Sequence, residues 1–145
     1  MDPITTVHTM VDKFAYWKLV DLVQKGRAKF NPDPCRITDP MGVDYSRIIE
    51  RVLVGLPVRL VYATVGHEGV MTIHDNDGVI NALNMFHMNM FELTGLQLAK
   101  ELEGKRYSRL LPILQNRIDD CPIVIYMIDS VDPNDVRVKM LKDAL

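Results

Sequence analysis

Cysteine is scarce in this sequence: Cys35 and Cys121 are the only two among 145 residues. A pair so distant cannot make a disulfide framework, and a reducing cytoplasm is the expected compartment. Long hydrophobic runs are missing as well. The longest, Ile123-Val124-Ile125-Tyr126-Met127-Ile128, falls far short of the ~20 residues of a membrane span and reads as a buried strand. The opening Met1-Asp2-Pro3-Ile4 has no positive region followed by an apolar stretch, so no secretory leader is expected. Charge of one sign is also lacking. Lys and Arg number 17 against 19 Asp and Glu, for a net charge of −2, which excludes a strongly DNA-coating protein. His8, His67, His74 and His87 and the two cysteines show no zinc-ligand spacing. Neither a phosphate-binding G-x-x-x-x-G-K-S/T loop nor a G-x-S-x-G elbow occurs. Structural zinc and serine-hydrolase chemistry are set aside, and no cofactor is expected.

What is present describes an ordinary globule: 48% hydrophobic and 25% charged residues. A chain of this length buries roughly 68% of its unfolded surface and needs no staples. With no repeat, biased tract or linker, residues 1–145 read as one domain. Tyr16, Leu19, Val20 and Val23 form a helical stripe, stopped by Gly26. Three prolines then make 30–40 extended and kinked. Asp44 is placed to cap a helix with Ile48, Ile49, Val52 and Leu53 inward, ended by Gly55 and Pro57. Two β-branched runs, 58–65 and 70–74, flank turn residues and predict a hairpin. A polar corner, Asp75-Asn76-Asp77-Gly78, leads into a helix at Val79. Spacing predicts helices over 96–102 and 108–118, a strand from Pro122, and a last helix launched by Asp132-Pro133. The fold class is α/β (α+β), a small mixed sheet with packed helices.

With these elements placed, Ile48-Ile49-Glu50-Arg51-Val52-Leu53-Val54-Gly55-Leu56-Pro57-Val58 resembles the signature L-I-E-S-I-L-L-G-I-P-I-P. That signature belongs to the ParB/sulfiredoxin-like family called domain of unknown function 262, the N-terminal half of many modification-dependent restriction endonucleases and phage-defence proteins. The strand pair, the Asp75 corner, Phe91-Glu92-Leu93-Thr94-Gly95-Leu96, Leu102 to Ser108 and the strand at Pro122 fit in the same order, so the resemblance spans nearly the whole chain. It implies a ParB-like fold and, in relatives, nucleotide hydrolysis coupled to DNA nicking.

The departures bear on activity. The family corner reads D-G-Q-Q-R, and here only Asp75 is kept, with Val79 where the arginine stands. The family's glutamine-arginine pair reads Cys35-Arg36. Losing an arginine removes a bidentate phosphate clamp that catalysis of phosphoryl transfer needs. The resemblance therefore implies a stand-alone domain that binds without turnover. Its partner would be a nucleotide, DNA, or a protein of a restriction, replication or phage-defence system, and a phage-encoded inhibitor would suit its size. The setting is the cytoplasm of a bacterial cell or phage-infected host. A metal-dependent nucleotide hydrolase or DNA nickase is one alternative, and an assembly protein that keeps only the fold is another.

Each candidate residue carries a functional and a plain reading. Arg36 and Asp75 are the nucleotide candidates, but Arg36 also suits a surface ion pair. Asp75, Asp77 and His74 offer oxygen and nitrogen ligands for a metal, while Asp75 or Asp77 equally suits helix capping. Cys35 is either a thiol activated by Arg36 or a packed side chain. Lys25, Arg27 and Lys29, with Lys18, are the candidates for a nucleic-acid backbone, as are Arg47 with Arg51 and Arg106 with Arg109, against a solvated charged surface. Met88, Met90 and Phe91 are candidate contacts to a protein partner or a second copy, against a core role. No membrane contact is expected.

Overall fold

The computed structural model describes residues 9–31, 43–66, 68–75 and 78–129. Among these, five strands form one sheet: β1 (Thr9–Ala15), β2 (Ala28–Asn31), β3 (Val61–Val65), β4 (Met71–His74) and β5 (Pro122–Asp129). The helices are α1 (Tyr16–Gln24), α2 (Val43–Leu53), α3 (Val79–His87) and α4 (Pro112–Asp119), with single 3₁₀ turns at Lys100–Leu102 and Tyr107–Arg109. The strand order is β1-β5-β3-β4-β2. β1 runs antiparallel to β5, β5 parallel to β3, β3 antiparallel to β4, and β4 parallel to β2. The fold is thus a mixed α/β sheet with packed helices, and β3 with β4 is the expected hairpin, in register Tyr62↔His74 to Val65↔Met71.

Alternation along the strands sorts the two faces. Val61, Ala63, Ile73, Ile123 and Ile125 join Leu19, Ile49, Leu53, Ile80, Leu83 and Phe86 of the helices in one apolar core. On the opposite face the registers line up Val11, Tyr126, Tyr62, His74 and Asn31 across all five strands.

Three helices end on the same device. After α1, Gly26 takes φ +74°, the Gly26 N–H donates to Val23 O at 3.1 Å, and the Arg27 N–H donates to Leu22 O at 2.9 Å. After α2, Gly55 (φ +85°) and Leu56 donate to Val52 O and Arg51 O. This is the Schellman closure, and its left-handed residue favours glycine. At the end of α3 the same position is held by Asn89 (φ +64°), with Asn89 and Met90 N–H groups donating to Phe86 O and Met85 O.

Two expectations need correction, and two strands were not expected. β1 and β2 carry no strong strand signal, since Asp12, Lys13, Ala28 and Asn31 are poor strand formers. They form because β5 and β4 offer unpaired edges. The stretch 96–102 is no helix beyond the single turn Lys100–Leu102, because a carboxylate from α2 binds its amides. The expected helix over 108–118 begins only at Pro112, whose ring suits a first helical turn and would break an interior one. The expected helix after Asp132-Pro133, the segment 32–40 and the side chain of Asp44 lie outside the described residues.

Candidate functional site

The corner after β4 is built by the sheet edge and the start of α3. The Asp75 N–H donates to Asn31 O at 3.0 Å, which ties the corner to the end of β2. The Asp75 side chain is buried, and its two oxygens accept from the Ile80 N–H (3.2 Å) and the Asn81 N–H (2.8 Å). A carboxylate at a helix N-terminus satisfies orphan amides and meets the positive end of the helix dipole. Gly78 enters α3 at φ +74°, and a Cβ there would lie 3.4 Å from Tyr45 Cε1. The Tyr45 hydroxyl in turn accepts from Asn81 Nδ2 at 2.9 Å. Tyr45 therefore roofs the corner. The capping reading of Asp75 holds.

His74 is buried beside it, stacked on Tyr62 with centroids 4.6 Å apart and planes 6° apart. Its Nε2 lies 3.2 Å from Thr64 Oγ1 and its Nδ1 lies 3.4 Å from Asn31 Nδ2. Both ring nitrogens thus have a polar neighbour among the described residues. Among the described residues no group of three or more His, Cys, Asp or Glu side chains could hold a metal ion. Arg36, Cys35 and Asp77 lie outside the described residues, so the expected meeting of Arg36 with Asp75 has no geometry here.

The basic stretch does not form one strip. Lys25 Nζ sits 3.0 Å from Asp21 Oδ2, and Lys18 Nζ sits 3.6 Å from the same oxygen. The hydrogen bond from Lys25 holds the Asp21 carboxyl below the usual carboxylate range. Arg27 and Lys29 are exposed, but Lys29, opposite Thr72, is on the sheet face away from the helices.

The exit of α3 is different. Met88 and Met90 are 64% and 49% exposed. Phe91 is not: at 6% exposure it packs against Tyr45 and Phe86, with ring centroids 6.0 Å and 5.5 Å away. The expectation that Phe91 contacts a partner is therefore corrected. The Schellman turn reverses the chain after Asn89 and carries Phe91 into the core.

The methionine turn is held firmly. Asn89 O accepts from Arg106 Nη1 at 2.8 Å, Asn89 Oδ1 accepts from the Ser108 N–H at 3.1 Å, and Asn89 Nδ2 donates to Ser108 Oγ at 2.9 Å. Next to it His87 Nε2 lies 3.4 Å from Asp119 Oδ1, and the Tyr107 hydroxyl donates to both Asp119 oxygens at 3.0 Å. Burial, reinforced by Asp119, pushes the Tyr107 hydroxyl up to about 12. Tyr16, which donates to Asn84 Oδ1, is raised as well, first by burial and then by Asp119 and Tyr107. Both phenols stay protonated and serve as donors at neutral pH.

One polar site escaped sequence reasoning. Glu50, 5% exposed, accepts the N–H groups of Gln97, Leu98 and Ala99 at 2.8–3.2 Å. Ser46 Oγ accepts the Thr94 N–H at 3.0 Å. Burial alone would raise the Glu50 carboxyl, but the amides of Ala99, Leu98 and Gln97, aided by Arg47, hold it below its ordinary value. The signal was available: Ser46, Ile49, Glu50 and Leu53 share one helical stripe, and polar residues on an apolar stripe mark buried hydrogen bonding.

No protein-family model, curated protein or solved structure matches this chain.

Proposed function

We propose that this chain acts by binding a protein partner and not by turnover, with the exposed Met88–Met90 turn as its contact. One observation carries the reading. The Asp75 carboxylate, the group kept from the hydrolytic corner of the resembled family, is buried and occupied by the Ile80 and Asn81 amides. A phosphoryl group approaching there meets a carboxylate already bonded to two amides, with Val79 where the resembled family has its arginine. At the other end of α3, two methionines stand in solvent on a turn fixed by Asn89, Arg106 and Ser108. Adaptable apolar side chains on a rigid turn suit a protein interface. A partner from a bacterial restriction, replication or phage-defence system, met in the cytoplasm, follows from the ParB/sulfiredoxin-like resemblance alone. A nucleotide or DNA ligand is less favoured, because Lys25 is already paired with Asp21.

The test has two arms. Nucleoside triphosphate hydrolysis and plasmid nicking are measured with Mg²⁺ and Mn²⁺, and no turnover is expected; turnover abolished by Asp75→Asn would overturn the reading. Partner capture from bacterial lysate is then compared between the parent chain and the Met88→Asp, Met90→Asp double variant. Loss of one specific partner is expected, and a capture profile identical for a folded double variant would remove this turn as the contact.

A further inference from the structure

Both faces of the sheet hold buried side chains, but the described helices account for only one of them. On the face opposite the helices, Ile128, Tyr62, Thr64 and His74 are 1%, 4%, 5% and 6% exposed. They are contiguous, since Tyr62 pairs with His74 and Tyr126, and Thr64 pairs with Ile128. Among the described residues, the apolar cluster on this face consists of Tyr62 and Ile128 with the partly buried Tyr126, and no helix residue joins it. Leu19, Ile49, Phe86 and Ile118 of the four helices belong to the other cluster. A sheet face with nothing over it keeps the outer side of each ring and methyl in water. The chain's own remaining residues therefore cover this patch.

The patch has the width of one helix. It spans β5, β3 and β4, about 10 Å from one outer strand to the other, and a helix with its side chains is about 10–12 Å across. The same face opens on either side of it: Val11 on β1 is 53% exposed, and Asn31 on β2 is exposed as well.

We infer that this patch is the docking surface for the chain's own C-terminal segment, residues 130–145. β3 and β5 run parallel and end level at Val65↔Asp129, so the chain leaves β5 beside Ile128 and Thr64. From the helix start at Asp132-Pro133, Val136, Met140 and Ala144 recur at every fourth position, with Leu141 and Leu145 alongside. Asp135, Lys139, Lys142 and Asp143 fall together on the other side of the same helical pattern. Residues 133–145 at helical rise reach about 20 Å, enough to run the length of β3, which is about 17 Å. The other stretches suit the patch less well. Residues 32–42 contain Pro32, Pro34 and Pro40, which exclude a regular helix, and residues 1–8 lead into β1 at the open margin. The docking is independent of the Met88–Met90 contact, and it makes the His74–Tyr62 stack an interior feature.

Modification by diethyl pyrocarbonate and hydrogen exchange of the full chain, both mapped by peptide mass, test this. His74 should react about tenfold more slowly than His87, whose side chain is 45% exposed. Val136→Asp with Met140→Asp should accelerate His74 by about tenfold and speed amide exchange over 133–145, while His87 and the amides of α3 keep their parent rates. Lys139→Ala with Lys142→Ala, on the charged side, should change neither. If the aspartate pair also unprotects α3, Met140→Ala replaces it, and His74 should still react faster with α3 intact. A His74 that reacts as fast as His87 in the parent overturns the inference. So does a His74 that stays slow in a folded variant of the apolar stripe, or one released by Ile37→Asp and not by that stripe.

Discussion

At the N-terminal end of α3 the Asp75 carboxylate is buried against the Ile80 and Asn81 amides under Tyr45, whereas at the C-terminal end Met88 and Met90 stand in solvent on the Asn89 turn. The sealed end is the one that a resemblance to hydrolases singles out, and the open end carries no catalytic expectation. The difference teaches that an acidic residue at a helix start can be engaged by backbone amides and so withdrawn from solvent. The accessible apolar side chains of this helix lie at its exit.

The sharpest way to break this comparison is inside the exit itself. Phe91→Ala should cost about 3–5 kcal/mol, because a buried aromatic leaves a cavity, whereas Met88→Ala should change stability by less than about 0.5 kcal/mol. Chemical denaturation of the two variants measures both, and similar costs would erase the distinction between turn and core. Next in size is the sealed end. Asp75→Ala should cost about 2–3 kcal/mol by stranding two buried amides, and Asp75→Asn less, since one acceptor oxygen remains.

Glu50 offers a pH-dependent counterpart. Its folded carboxyl is held below its ordinary value, so the unfolded chain binds the proton more readily. The stabilisation is complete above the ordinary carboxylate range and is lost as pH falls through the lowered folded value. Thermal midpoints between pH 3 and pH 7 should therefore fall more steeply on the acid side for the parent than for Glu50→Gln, and parallel curves would contradict the clamp. The smallest effect concerns Asn89. Asn89→Ala should cost about 1 kcal/mol, since a side chain with a Cβ and no local hydrogen bond sits poorly at positive φ. Asn89→Gly relieves the backbone but loses the Ser108 bonds, so it should fall between Asn89→Ala and the parent.

Much of the architecture was legible because it rests on local pattern. The stripe Tyr16, Leu19, Val20 and Val23, the glycines at 26 and 55, and the β-branched runs of β3 and β4 each specify an element through neighbours a few residues away. β1 and β2 were not legible, because their residues are indifferent and only the partner strand selects them. The two ends of α3 divide in the same way. Capping by Asp75 was foreseeable from its place before Val79, but the burial of Phe91 depended on the turn at Asn89 and on rings from Tyr45 and Phe86.

Sequence alone therefore determined where most helices start and stop and which strands form the hairpin, since propensity, capping and turn chemistry act over a few residues. Tertiary structure decided the rest. It chose the edge strands, turned the start of the helix expected over 96–102 into a loop bound by Glu50, and separated Phe91 from Met88 and Met90. Those outcomes depend on which unpaired amide or apolar ring lies opposite in space, some 50 residues distant for Glu50 and Ala99, whose separation along the chain is 49. A buried hydrogen-bonding group must find a partner wherever the fold provides one.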